Sequence, residues 1–196
     1  MNPAYRPGGP ESAGVSELAA LFDSSPRLRL RPMYLGQARR LLAGEDALAS
    51  DIAGWAPGYP GEETRQSAGM LIRQAEAGQL VRGFGIYLIV RRSDDIIIGG
   101  IGFHGKPEHG RVEVGYDVAS SAQAQGYATE ALRALAGWAL RQSEVEVVVG
   151  RTEAGNIASR RVMEKAGFIP SGGPDAEGLH SFELRGPQKE DGGANH

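Results

Sequence analysis

The sequence predicts an α/β fold, one domain built around a mixed sheet. Three observations point there. Segments with the two-residue period of strands alternate with segments carrying the 3.6-residue period of helices. The near-continuous valine run VEVVVG, at 145–150, has the pattern of a central strand covered on both faces. The 196 residues, 41% hydrophobic and 23% charged, match one globular domain able to bury a core without cross-links.

The elements follow in order. Residues 1–25 are rich in Pro, Gly and Ser and are expected to form a flexible arm, in which SELAALF (16–22) could make one short helix. The domain spans 26–186. RLRLRPM (27–33) alternates charged and apolar residues, the pattern of an exposed-edge strand with Leu28 and Leu30 inward. LGQARRLLAG (35–44) is a short helix ended by Gly44, and the segment at 47–63 is a loop anchored by Trp55 and Tyr59. EETRQSAGMLIRQAEAG (62–78) is a helix with acidic residues in its first turn and Gly78 at its end. FGIYLIVRR (84–92) and IIIGGIGFHG (96–105) flank Ser-Asp-Asp, a hairpin signal. RVEVGYDVA (111–119) places Val112, Val114, Tyr116 and Val118 on one face and Glu113, Gly115 and Asp117 on the other. A helix from 126 to 141 carries Ala128, Leu132, Leu135 and Ala139 on one stripe with Trp138 beside it. NIASRRVMEKAGF (156–168) is a helix with Ala158, Val162 and Ala166 on one face and Gly167 just past its end. SFEL (181–184) is the last strand, and residues 187–196 read as a disordered tail.

Composition excludes several classes. Cysteine is absent, so there is no disulfide, thiol nucleophile or thiolate metal site, which fits a reducing cytoplasm. The net charge is -3, and the pairs Arg91-Arg92 and Arg160-Arg161 are scattered, so no field favours nucleic acid. No apolar run reaches membrane-spanning length, and the N-terminus lacks an apolar signal core. His104 and His109 flank a loop containing Pro107 with no carboxylate cluster to complete a metal site. A cytoplasmic protein that binds neither membrane nor nucleic acid is expected.

The stretch SSAQAQGYATEAL (120–132) leads from a strand into a helix with almost no bulk. The backbone N–H groups of residues 123–128 are the unpaired donors of a helix start, and the helix dipole favours an anion there. Gly126 leaves room for a pyrophosphate and Ala128 keeps the next turn thin. The alternative is that Gly126 only makes a turn and Ala128 only packs the helix on the sheet. The stretch lacks the Gly-Lys-Ser/Thr of a phosphate loop and the glycine spacing of a dinucleotide fingerprint.

Q-x-x-G-x-A at Gln123, Gly126 and Ala128 resembles the acetyl-CoA pyrophosphate loop of the GNAT N-acetyltransferase superfamily, and GYATEAL looks like its ribosomal-protein N-terminal acetyltransferase (RimJ/RimL-like) branch. N-x-x-S-x-x-V-M-E-K-A-G-F, from Asn156 to Phe168, is similar to that branch's signature helix near the pantetheine arm. VEVGYDV resembles the strand before the loop, and LRLRPM and GWAPGYP fit the same branch. The similarity covers roughly residues 27–185. It implies a GNAT-like domain with a mostly antiparallel central sheet and helices on both faces. It also implies acetyl transfer from acetyl-CoA to a primary amine, a protein N-terminus or a small molecule, by direct attack.

The resemblance assigns the pyrophosphate to the backbone of Gln123, Ala124, Gln125, Gly126, Tyr127 and Ala128, and the thioester oxyanion to the N–H near Val118. Glu113 resembles the family's general base. An α-amino group has a pKa near 8, so roughly a tenth is already neutral at pH 7 and a carboxylate acting through water suffices. His104 is a second candidate base, since histidine ordinarily titrates near 6.5. Alternatively, Glu113 pairs with a basic neighbour and His104 is a solvated hairpin residue. Ser159 stands where the resemblance puts the acid, and Asn156 where it contacts the pantetheine amide; the alternatives are an exposed first-turn serine and a helix N-cap. The family's usual tyrosine acid, four residues after Asn156, is replaced here by Arg160. Trp55, Tyr59 and His104 are the candidate acceptor-side residues. A non-catalytic acyl-CoA-binding sensor, and a monomer or a homodimer, remain open.

Overall fold

The computed structural model describes residues 25–45 and 52–186. The expected arm, its short helix, the tail and part of the 47–63 loop lie outside these residues. The described chain runs β1 (Leu28–Pro32), α1 (Leu35–Leu42), β2 (Gly54–Trp55), α2 (Glu62–Glu76), β3 (Ile86–Arg91), β4 (Ile96–Phe103), β5 (Arg111–Val118), α3 (Tyr127–Ala139), β6 (Val147–Glu153), α4 (Ile157–Ala166), β7 (Ile169–Pro170) and β8 (Leu179–Arg185). The sheet order is β1-β3-β4-β5-β6-β8-β7, with β2 added beside β4. All neighbours are antiparallel except β5 with β6 and β2 with β4. Parallel pairing of β5 and β6 needs a crossover, which α3 supplies.

The two faces of the sheet carry separate cores. Ile86, Leu88, Val90 and Ile97 pack beneath α1 and α2 with Ala38, Leu41, Ala68 and Leu71. Ile89, Ile101, Val112, Val114 and Val148 pack beneath α3 with Leu132, Leu135 and Trp138. β3 is buried over five successive residues because both faces are covered, and β6 buries Val147 and Val148 while Val149 is half-buried.

Three elements differ from the sequence reading. Gly54 and Trp55 leave the expected loop to pair with Ile96 and Ile97. Ala128 is only half-buried, and Thr129 takes the covered position at the start of α3. The buried stripe of α4 is Met163 and Ala166, with Val162 half-buried and Ala158 exposed. That rotation sets Ser159, one turn before Met163, facing inward, and the hydroxyl pair that it makes with Tyr116 accounts for it.

Glu130 ties the first strand to α3. Its carboxylate accepts from the Ser25 hydroxyl, the Arg27 N–H (3.0 Å) and the Arg27 guanidinium (2.7 Å). Burial pushes this carboxyl up, but these donors outweigh burial and hold it below the usual range. A depressed carboxyl stabilises the fold above its unfolded value and loses that contribution as pH falls through its folded value. Glu130→Gln is therefore expected to lower the melting temperature by about 4 °C near neutral pH. The difference should be smaller at acid pH, as the wild-type carboxyl takes up its proton on the way down through its depressed folded value. Paired thermal melts at the two pH values test this.

Candidate active site

β5 and β6 pair over four residues only, from Arg111 opposite Val147 to Val114 opposite Gly150. Beyond that point β5 stays with β4 as far as Val118, and β6 stays with β8 as far as Glu153, so the two strands part. Peptide groups alternate along a strand. The Ala119 N–H donates to Ile98 on the β4 side, and the Glu113 carbonyl accepts from the His104 N–H on the same side. The N–H groups of Tyr116 and Val118 consequently face the opening, where Val118 was expected to donate to an oxyanion. A cleft of about 410 Å³ runs through the opening, from Glu63, Ser67, Met70 and Arg73 of α2 to Asn156, Ser159 and Met163 at α4.

The loop after β5 is held in an anion-receiving shape. Gly126, the residue before α3, has φ 81°, and Ala124 has φ 59°, both in the left-handed region. The Gln123 side chain donates to the Val118 carbonyl (3.1 Å), and the Gln125 side chain donates to the Ser121 carbonyl (3.2 Å). These side chains brace the loop and leave its N–H groups as the donors. The first helical bond runs from the Glu130 N–H to the Gly126 carbonyl, and the N–H groups of residues 124–129 have no acceptor among the described residues. Thirteen residues of α3 direct their dipole at this point. Arg27, which sequence reasoning missed, reaches the loop from β1's start. It donates to the Gln125 carbonyl (3.1 Å) and lies 4.6 Å from the centroid of the Tyr127 ring. Separated from the loop by about a hundred positions, it gives no local signal.

On the α4 side, Asn156 is the helix N-cap: its side-chain oxygen accepts from the Ser159 N–H at 3.0 Å. It also lines the cleft. The Ser159 hydroxyl lies 3.0 Å from the Tyr116 hydroxyl, which also donates to the Ser159 carbonyl at 3.1 Å. Burial raises the Tyr116 phenol, and the hydrogen bond to Ser159 works against that rise. In the sequence Tyr116 stands with Val112, Val114 and Val118 on one face of its strand. The period-2 pattern gave its face but not the helix opposite.

On the α2 side the structure brings the two candidate bases together. Glu113 sits between His104 and Arg151, with its Oε1 2.9 Å from His104 Nδ1 and its Oε2 3.0 Å from Arg151 Nε. Burial pushes the Glu113 carboxyl up, but hydrogen bonds and charge from His104 and Arg151 outweigh burial and leave it below the usual carboxylate range. The expectation that Glu113 pairs with a basic neighbour is met, and the neighbour includes His104. Arg151 is held in turn by Asp175 (3.2 Å) and Glu177 (3.5 Å).

The acceptor-side aromatics are placed differently from the expectation. Trp55 and Tyr59 do not line the cleft; their rings pack 5.8 Å apart against the core beneath α1 and α2. Trp55 is drawn there by its place in β2. Tyr59 instead reaches the wall from behind, donating to Asp117 Oδ2 at 2.6 Å beside Thr64 Oγ1 at 3.1 Å. Burial pushes both groups up, the Tyr59 phenol well above its usual range, with the Tyr59 and Thr64 bonds pulling the Asp117 carboxyl down. The wall is therefore α2 with Asp117. Among the described residues no cluster could hold a metal ion, and no helix is long and apolar enough to cross a membrane.

A model described as an acetyltransferase (GNAT) domain matches residues 27–169. The chain belongs to this family. An uncharacterised N-acetyltransferase, YjdG, of Bacillus subtilis (strain 168) is 38% identical over 89 residues, covering 45% of this chain and 53% of the relative. The chain thus matches about half the length of this curated relative. Solved GNAT structures share the fold. One is RimL, a ribosomal L7/L12 α-N-protein acetyltransferase in complex with coenzyme A (TM-score 0.58, 22% identity, 83% of this chain and 96% of that one). Another is MccE, a microcin C7 self-immunity acetyltransferase solved with acetyl-CoA and AMP (TM-score 0.56, 14% identity, 82% and 93%).

Proposed function

We propose that the protein transfers the acetyl group of acetyl-CoA to a primary amine by direct attack. The observation that carries this is the parting of β5 from β6 after Val114 and Gly150, which opens onto the unpaired N–H groups of residues 124–129. The site fits acetyl-CoA: the loop offers convergent donors and a helix dipole to the pyrophosphate, and Arg27 adds a charge beside it. The N–H groups of Tyr116 and Val118 that face the opening offer bonds to an extended chain and to the thioester oxygen as it gains charge. Ser159, hydrogen-bonded to Tyr116, offers a hydroxyl donor to the departing thiolate, and Asn156, whose oxygen is taken up by the helix cap, lines the cleft with an amide N–H₂ still able to donate. On the other face, His104 and Glu113 stand where an amine would shed its proton. A purely acyl-CoA-binding role finds no supporting feature, because such a role needs no proton acceptor at the mouth of the split.

Isothermal titration with acetyl-CoA, followed by thiol-release assays over tetrapeptides with free Ala, Ser or Met N-termini and over small primary amines, tests the reading. Binding with thiol release that depends on an amine is expected. Binding without release on any acceptor, or no binding, overturns it.

A further inference from the structure

We propose that His104, rather than Glu113, takes the proton from the attacking amine, and that Glu113 acts through it as a positioning residue. This rests on the acetyltransfer reading above and assigns the proton acceptor within it.

Four observations carry the assignment. Glu113 faces the Nδ1 edge of the ring at 2.9 Å, so an Nδ1–H donating to the carboxylate leaves the Nε2 lone pair outward. Nε2 stands directly over Gly115: a Cβ on that residue would lie 2.5 Å from it. Gly115 is the first residue of β5 beyond its last pair with β6, so Nε2 is at the mouth of the split, where the Tyr116 N–H faces the opening. Finally, 45% of the His104 side chain is exposed, and it borders both the cleft and the groove on its outer side. Glu113 is less suited to the role. Both of its oxygens are engaged, one by His104 and one by Arg151, and only a quarter of its side chain is exposed. A carboxylate bridging an imidazole and a fixed guanidinium fixes the ring's tautomer and stabilises the imidazolium that forms, the division of labour of an acid–histidine pair.

The step balances. The amine nitrogen forms a bond to the thioester carbonyl carbon, and the carbonyl electron pair moves onto oxygen. Nε2 takes the proton from nitrogen. The pair then returns from oxygen, the carbon–sulfur bond breaks, and the thiolate leaves. The imidazolium returns its proton to solvent, and the thiolate gains one from solvent through the Ser159 hydroxyl, so amine and acetyl-CoA give amide and CoA thiol. The charged groups lining the cleft and the groove that the ring borders are Arg111, Glu113 and Asp117 on β5, Arg151 on β6, Glu63 and Arg73 on α2, and Lys106 and Glu108 in the following loop.

The experiment measures the pH profile of kcat/KM for wild type, His104→Ala, Glu113→Gln and Gly115→Ala on the fastest acceptor of the panel, with acetyl-CoA affinity by titration. His104→Ala is expected to lose about 10²- to 10⁴-fold in kcat/KM, to retain its acetyl-CoA affinity, and to regain rate with added imidazole. Its histidine-dependent acid limb should vanish. Glu113→Gln should keep that limb and lower kcat/KM, because the ring loses the carboxylate that orients its Nε2. Gly115→Ala meets only the end of a side chain that can swing aside, so it should fold normally, displace the ring and lower the rate without imidazole rescue. A limb that persists in His104→Ala and vanishes in Glu113→Gln makes Glu113 the base and overturns the proposal. So does His104→Ala within twofold of wild type, which leaves the acetyltransfer reading standing. Wild type without thiol release on any amine overturns that reading and this proposal with it.

Discussion

Replacing Gly126 with valine is expected to weaken acetyl-CoA binding by about 10- to 100-fold. The cause lies in the backbone. At φ 81° an L side chain is strained by about 1–2 kcal/mol, and a β-branched one by more. Space is not the obstacle, since a Cβ there would find only Arg27 Nη2 at 3.6 Å. The strain is relieved by turning the peptides around residue 126 away from the left-handed region. That rotation swings N–H groups out of the focus shared by residues 124–129. Each lost hydrogen bond to a phosphate is worth about 1.5–3 kcal/mol, and every 1.4 kcal/mol is tenfold in affinity. Titration of acetyl-CoA against the folded variant measures the effect. Affinity within twofold of wild type would mean that the loop does not hold the pyrophosphate.

Gly99→Val is expected to act on the fold itself, destabilising it by about 3 kcal/mol, a fall in melting temperature of about 6–12 °C. A Cβ at Gly99 would lie 2.4 Å from the Asp117 carbonyl oxygen and 3.3 Å from the Val118 Cα, both backbone atoms of β5. Neither can rotate aside, so the strands must separate. Gly150→Ala is the comparison: its Cβ would meet Met163 Sδ at 2.6 Å, the far part of a flexible side chain. Urea unfolding of the two variants should separate them clearly. Equal losses would show that the β4–β5 contact is not the tight one.

The elements were legible where the apolar period was clean: Leu28 and Leu30 of β1, the covered run of β3, and the Leu132–Leu135–Ala139 stripe of α3 are buried as read. α4 was less legible. Its face is set by a hydroxyl pair with Tyr116, and polar partners leave no mark in an apolar pattern. In the loop at 120–132 the turn was legible: Gly126, read as leaving room for a phosphate or as making a turn, takes a left-handed φ of 81° just before α3. The two sides of the cleft were not. Arg151 and Asp117 line it, and Arg27 reaches the α3 loop, from elements far apart in sequence that only the sheet order brings together. Glu113 and His104 were each singled out alone, since nothing in the spacing of residues 104 and 113 states that β4 and β5 face each other there. Trp55 was misplaced because a two-residue strand has too short a period to read.

The parting of β5 from β6 also divides the labour of holding a long ligand. A peptide N–H that now bonds water gains only about 0.5–1.5 kcal/mol when it bonds a ligand amide instead. The opening is therefore a poor source of affinity, and the charged end at the α3 loop must supply most of it. What the opening supplies is length. A chain anchored at residues 124–129 and laid along Val118 and Tyr116 reaches Gly115 after a fixed number of bonds. On the acetyltransfer reading proposed above, the strand works as a ruler, stopping the reactive carbon beneath His104.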